Sequence, residues 1–91
     1  MEFEWDPDKA SQNKKKHGVS FVEAASVFGD TFSSTFPDPD HSIEEERHVM
    51  IGLSKRGKVL IVSYTDRDGR IRIISARKTS RRERKAYEEG T

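Results

Sequence analysis

The chain has no cysteine, which removes both a disulfide staple and a thiolate metal site. It has no long apolar run. The longest, Val59 to Val62, falls far short of the roughly 20 residues that a membrane helix needs. Its first residues, Met1-Glu2-Phe3-Glu4-Trp5, are acidic and carry no signal-peptide apolar region. A Gly-rich phosphate loop and a Ser/His/Asp spacing are both missing. Hydrophobic residues make up 32% of the 91 residues and charged residues 36%, so any core is thin and its edges are covered by the aliphatic stems of long charged side chains. These shortages lead to the expectation of one small cytoplasmic domain spanning residues 1–91, with no membrane segment, no cofactor, and a core lean enough for a stabilising partner to matter.

What the chain does have is a positive field gathered at one end. The net charge is only +1, yet Arg67 to Lys85 holds nine basic residues against two acids, Asp68 and Glu83. Such a concentration is the footprint of a surface that meets phosphates.

Local signals order the elements. Glu2 to Trp5 alternates like a short strand. Asp6-Pro7 opens a helix that runs to about His17 and stops at Gly18. Ser20-Phe21-Val22-Glu23 has a capping-box pattern, and Phe21, Ala24, Ala25 and Phe28 give the second helix a core face before Gly29 ends it. Thr31 to Phe36 reads as a strand with Phe32 and Phe36 on one face, and the segment from Pro37 to Ser42 as a loop. Arg47 to Leu53, Val59 to Thr65 and Arg70 to Arg77 follow as strands joined by turns at Ser54–Gly57 and Asp66–Gly69. Ser80-Arg81-Arg82-Glu83 is another capping box and opens a basic C-terminal helix. The order predicts an α+β fold with helices packed on one face of a curved antiparallel sheet.

The last strand is the strongest candidate for chemistry. Two guanidinium groups can clamp a phosphate, because the planar fork of arginine matches its oxygens and stays charged at any working pH. Arg72 and Arg77 are the candidate pair. In an ideal strand they have opposite parity, so they converge only if a bulge intervenes or Arg77 curls around the strand end. Edge arginines that prevent sheet-to-sheet aggregation are the plainer explanation. Arg70, Arg81 and Arg82 are candidate RNA contacts, although a solvated basic face also accounts for them. His48, beside Arg47 on the strand face opposite Val49 and Ile51, is a candidate general acid or base, against the plainer reading of a surface histidine on a wet face. Lys9, Lys14, Lys15 and Lys16 form a smaller basic patch: either a solvated helix face or a second rim of an RNA groove. His17, with Asn13 one turn earlier, is expected to tie the first helix to its surroundings. Asp38, Asp40, His41 and Glu44 to Glu46 match no ligand spacing and are expected to be an acidic loop, not a metal site.

Taken in order, Trp5-Asp6-Pro7 with Lys9, Asn13 with Lys16-His17-Gly18-Val19-Ser20-Phe21, Ala24-Ala25 with Val27-Phe28, Glu46-Arg47, Ile51-Gly52, Arg72-Ile73-Ile74-Ser75-Ala76-Arg77, Arg82-Glu83-Arg84 and Tyr87 give the chain a further meaning. Over nearly its whole length it resembles the BrnT toxins of bacterial type II toxin–antitoxin modules. The resemblance implies a RelE-like fold and metal-independent ribonuclease activity that arrests translation. It implies neutralisation by a BrnA-like antitoxin with a ribbon-helix-helix domain, contact with operator DNA through that antitoxin alone, and room for two toxins per antitoxin dimer. In that setting Arg72 and Arg77 would stabilise the phosphorane, Arg47 would help to position it, and His48 or Lys9 would move protons. Two other classes fit the same basic surface: a nucleic-acid-binding module that does not cut, and a docking protein for an acidic partner.

Overall fold

The computed structural model describes residues 1–38 and 46–90. Its elements are β1 (Glu2–Glu4), α1 (Pro7–His17), α2 (Phe21–Ser26) with a 3-10 turn at Val27–Gly29, β2 (Ser34–Pro37), β3 (Arg47–Leu53), β4 (Val59–Arg67), β5 (Arg70–Lys78) and α3 (Arg81–Glu88). The proposed acidic loop lies, apart from Asp38 and Glu46, outside the described residues. Phe32 falls in a turn before β2 and is 81% exposed, so it does not share a strand face with Phe36.

The helix ends follow local chemistry. The Asp6 carboxylate accepts from the Asp8 amide at 2.8 Å, and Gly18 takes the left-handed conformation (φ 71°) while its amide reaches the Lys14 carbonyl. Ser20 caps α2 by accepting from the Glu23 amide at 3.1 Å. The second half of the expected box is diverted. The Glu23 carboxylate accepts from the Ser54 hydroxyl at 2.8 Å and ties α2 to the β3–β4 turn. At α3 both halves of the box form, between Ser80 and Glu83.

The five strands lie in the order β1-β5-β4-β3-β2. β2 to β5 are antiparallel neighbours, and β1 joins β5 in parallel, with Glu2, Phe3 and Glu4 beside Arg70, Ile71 and Arg72. The sheet is therefore mixed, not wholly antiparallel. α1 and α2 cover one face, where Val19, Phe21, Ala24 and Val27 pack on Met50, Leu60, Val62, Tyr64, Ile71, Ile73 and Ala76. Edge-on ring contacts extend this core from Trp5 to Phe21, from Phe3 to Phe28 and from Phe28 to Tyr64. On β3 the covered parity is His48, Met50 and Gly52. A methyl at Gly52 would lie 2.8 Å from Val27 Cγ1 and 2.9 Å from Ser33 Cβ, so glycine is what lets the 3-10 turn lie flat on the strand. No helix among the described residues is long and apolar enough to cross a membrane.

Candidate functional site

The parity conflict on β5 is resolved by a bulge. Ser75 pairs with Ser63 and Ile73 with Tyr64, which leaves Ile74 as an extra residue between them. Beyond it the strand has shifted by one. Arg72 opposes Thr65 and Arg77 opposes Ile61, and both β4 partners have the same parity. Arg72, Ser75 and Arg77 therefore point to one face, the face that α1 and α2 leave open. A cross-strand row runs Arg47, Thr65, Arg72, Glu4 over β3, β4, β5 and β1. A second runs Val49, Ser63, Ser75, and a third Ile51, Ile61, Arg77. The first and third rows are four residues apart on β4, about 13 Å at the rise of a strand. Two arginine side chains can close that gap from opposite ends over a floor of two small hydroxyls, Ser63 and Ser75.

Both guanidinium groups are held by carboxylates. Arg72 Nη1 lies 2.8 Å from Glu4 Oε2, and each side chain keeps 30% of its surface exposed. Arg77 grips Glu83 with both prongs, Nη1 to Oε1 and Nη2 to Oε2, each at 2.9 Å. The fork of Arg77, and next the Ser80 amide, pull the Glu83 carboxyl from 4.5 down to about 2, while the Glu83 carboxylate raises Arg77. Glu83 was legible as a capping residue. Its second role, as the partner that links α3 to the arginine face, has no signature in a sequence.

His48 does not join this group. It lies on the helix-covered side of β3, and its ring is 5.4 Å from that of Tyr64, itself in the core. Arg47, its neighbour in sequence, points the other way and shares the open face with Arg72. The plainer reading of His48, a surface histidine on a wet face, does not fit this placement: the apolar set Val49, Ile51 and Leu53 is on the open side, and His48 goes with Met50. Arg70, at the start of β5, pairs with Glu2 at 3.4 Å in an exposed bridge. Arg81 and Arg82 stand exposed on the first turn of α3.

The edge of β5 past β1 carries what the sequence did not reveal. Asn13, 7% exposed, acts there as a one-residue strand. Its Oδ1 accepts from the Ala76 amide at 3.1 Å, and its Nδ2 donates to the Ala76 carbonyl at 2.8 Å and the Val19 carbonyl at 3.0 Å. The tie expected of His17 is thus made by Asn13. Beside it opens a cleft of about 280 Å³ between α1 and the bulge, lined by Lys9, Gln12, Lys16 and His17 and by Ile74 and Ser75. Lys9 is therefore brought next to the arginine strand, across its edge.

At its far end α3 is anchored by Tyr87, whose hydroxyl donates to Asp30. Burial and then this bond push the Tyr87 phenol up to about 12. Burial also works to raise Asp30, but the hydrogen bonds from Tyr87 and from the Leu53 and Phe32 amides outweigh it and hold the carboxyl below its ordinary value.

Residues 5–83 match the family described as "Ribonuclease toxin, BrnT, of type II toxin-antitoxin system". The chain belongs to the BrnT family. The crystal structure of the Brucella abortus ribonuclease toxin, BrnT, superposes with a TM-score of 0.70 at 23% identity, covering 89% of this chain and 99% of that one. At that identity the likeness speaks for the fold, an α+β arrangement ending in a C-terminal helix. None of the proteins with curated descriptions matches the chain. The BrnT match begins at Trp5, just after the Glu4 that holds Arg72, and ends at Glu83, the partner of Arg77, so the arginine strand and the α1 cleft lie inside it.

Proposed function

We propose that this chain is the toxin of a type II toxin–antitoxin module and cleaves RNA as a metal-independent endoribonuclease, arresting translation. The observation that carries this reading is the alignment of Arg72 and Arg77 on one open face by the Ile74 bulge. In the proposed reaction the 2′-oxygen attacks the adjacent phosphorus while its proton passes to a base. The P–O5′ bond breaks, O5′ takes up a proton, and the products are a 2′,3′-cyclic phosphate and a 5′-hydroxyl. Arg72 and Arg77 neutralise the charge that builds on the phosphorane oxygens, the term that usually dominates such sites. Arg47, in the same row as Arg72, steadies the strand of RNA. The phosphate competes with Glu4 and Glu83 for the two guanidinium groups. Of the two candidate proton carriers, Lys9 borders the arginine strand, whereas His48 faces the opposite side of the sheet, so Lys9 takes that role. Arg70, Arg81 and Arg82 add attraction for the backbone.

The family description supports a partner antitoxin. In this reading it is BrnA-like, with a ribbon-helix-helix domain through which operator DNA is met, and two toxins can sit on one antitoxin dimer in the cytoplasm. The test is cleavage of a labelled RNA in EDTA, followed by separation of the products. Cleavage that persists under chelation, leaves cyclic phosphate ends, and is lost in Arg77→Ala supports the proposal. A folded Arg77→Ala protein that still cuts at the parent rate overturns it, and binding without any cleavage favours a non-catalytic RNA-binding module.

A further inference from the structure

We infer that the cleft between α1 and β5 is a second phosphate seat, in which Lys16 and His17 hold the RNA backbone on one side of the scissile linkage. The ligand class rests on the ribonuclease reading above; the site itself is separate from Arg72 and Arg77.

Three observations carry it. The first is charge. The arginines of the open face are already neutralised, Arg72 by Glu4 and Arg77 by Glu83. The cleft is lined by Lys9, Lys16 and His17 with no carboxylate among its walls, and within the described residues these three have no ion-pair partner. A basic last turn is ordinary in a helix, because the dipole favours cations there. That does not account for Lys9, which sits in the first turn, where the dipole opposes a cation; it borders the same cleft, between this seat and the scissile linkage at which it moves the proton. The second is the state of the strand edge. Asn13 consumes both the amide and the carbonyl of Ala76, so this edge offers no free ladder to an incoming peptide strand at that residue. What remains exposed to a ligand is side-chain donors, the equipment for an anion. The third is continuity. Ser75 lines the cleft and also stands between Arg72 and Arg77 in the face pattern, so an RNA strand crossing the arginines reaches the cleft by passing over one residue. The imidazole of His17 donates a hydrogen bond to phosphate in either protonation state, and Gln12 adds a neutral donor.

The test uses a 2′-O-methyl oligoribonucleotide, which keeps the phosphates and lacks the attacking hydroxyl. Its affinity is measured by fluorescence anisotropy at several salt concentrations, for the parent protein and for Lys16→Gln, His17→Gln and Lys15→Gln. Lys15 is on the same helix, exposed, and outside the cleft. Losing one phosphate contact lowers the slope of log K against log salt by about 0.7 and weakens binding about fivefold near 0.1 M salt. That change is expected for Lys16→Gln, with a loss of affinity for His17→Gln and little change for Lys15→Gln. If Lys16→Gln keeps the parent slope, or if Lys15→Gln weakens binding as much, the cleft is no seat and the inference falls. The two claims fail apart. Loss of cleavage in Arg77→Ala with unchanged binding in Lys16→Gln sinks only the cleft, and weakened binding in Lys16→Gln with no cleavage by the parent sinks only the nuclease.

Discussion

Arg77 and Glu83 form a two-pronged ion pair, both contacts at 2.9 Å, that ties the end of β5 to the first turn of α3. Glu83 is at the same time the reciprocal half of the Ser80 capping box. One carboxylate thus starts the C-terminal helix and occupies the guanidinium that the proposed chemistry needs. A phosphate that captures Arg77 takes a ligand away from α3.

The acid stability of the protein should report this pair. The Glu83 carboxyl is lowered from 4.5 to about 2 in the folded state. Its folded value lies below its unfolded one, so the stabilisation is complete above pH 4.5 and disappears as pH falls from 4.5 through 2. Glu83 is a third exposed and solvent screens it, so the contribution is on the order of 1 kcal/mol. Urea unfolding across that window should show a shallower loss of stability for Glu83→Gln than for the parent. Parallel curves would mean that the pair contributes nothing.

Replacing Asn13 should be far more costly than its polarity suggests. Asn13→Ala leaves the Ala76 amide and the carbonyls of Ala76 and Val19 without their partner in a buried setting. An unsatisfied buried group costs about 1–3 kcal/mol, and water entering the gap recovers part of it, so the expected loss is about 2–3 kcal/mol. Asn13→Asp should be at least as damaging, because a carboxylate cannot donate to either carbonyl. Both are checked by equilibrium unfolding, and a loss under 0.5 kcal/mol would show that the β5 edge holds itself.

Gly52→Ala tests the contact between β3 and the 3-10 turn. The added methyl meets Val27 Cγ1 at 2.8 Å and Ser33 Cβ at 2.9 Å, both in packed chain and not at the tip of a flexible side chain. Overpacking of this kind costs about 1–3 kcal/mol. In a domain of this size each kcal/mol moves Tm by roughly 4–8 °C, so a thermal melt decides it.

Tyr87 gives a signal at the opposite end of the pH scale. Its phenol is raised from 10.0 to about 12, so the folded value exceeds the unfolded one. The stabilisation is present below pH 10 and is lost as pH climbs from 10 through 12. Absorbance at the tyrosinate band should show a late-titrating phase in the parent that Tyr87→Phe abolishes. The same substitution should loosen α3 by about 1 kcal/mol, the usual net worth of one hydrogen bond.

These contacts mark the boundary of what the sequence made visible. The α1 caps, the Ser80 box and the turns at Ser54–Gly57 and Asp66–Gly69 depend on residues a few positions apart, and all were legible. The Arg72/Arg77 parity conflict was also legible, with a bulge or a curl of Arg77 around the strand end as its two resolutions, and the bulge is there at Ile74. The covered face of β3 was harder to choose. The apolar parity is Val49, Ile51 and Leu53, yet the covered one is His48, Met50 and Gly52, with Val27 lying over Gly52, a contact between residues far apart in the chain. The diversion of Glu23 to Ser54, the parallel pairing of β1 with β5 and the lock of Asn13 on Ala76 share that origin. That Tyr64 and the helix-covered core lie beside His48, while its neighbour Arg47 turns to the arginine face, depends likewise on contacts between residues far apart in the chain.

The sharpest test of the arginine face is a cycle of substitutions. If Arg72 and Arg77 grip one phosphorane from opposite ends, each contributes to the same charge, and their effects cannot be independent. Arg72→Ala and Arg77→Ala should each lower cleavage by about 10²–10³, the usual effect of removing one preorganised donor. The double variant should lose much less than the product of the two, because a phosphate released by one arginine is no longer placed for the other. Arg77→Lys keeps the charge but not the fork, and should recover binding of the 2′-O-methyl strand more than it recovers the cleavage rate. Fully multiplicative losses would mean that the two arginines serve separate phosphates, with Arg72 doing its work beside Glu4 and Arg47, and Arg77 beside α3.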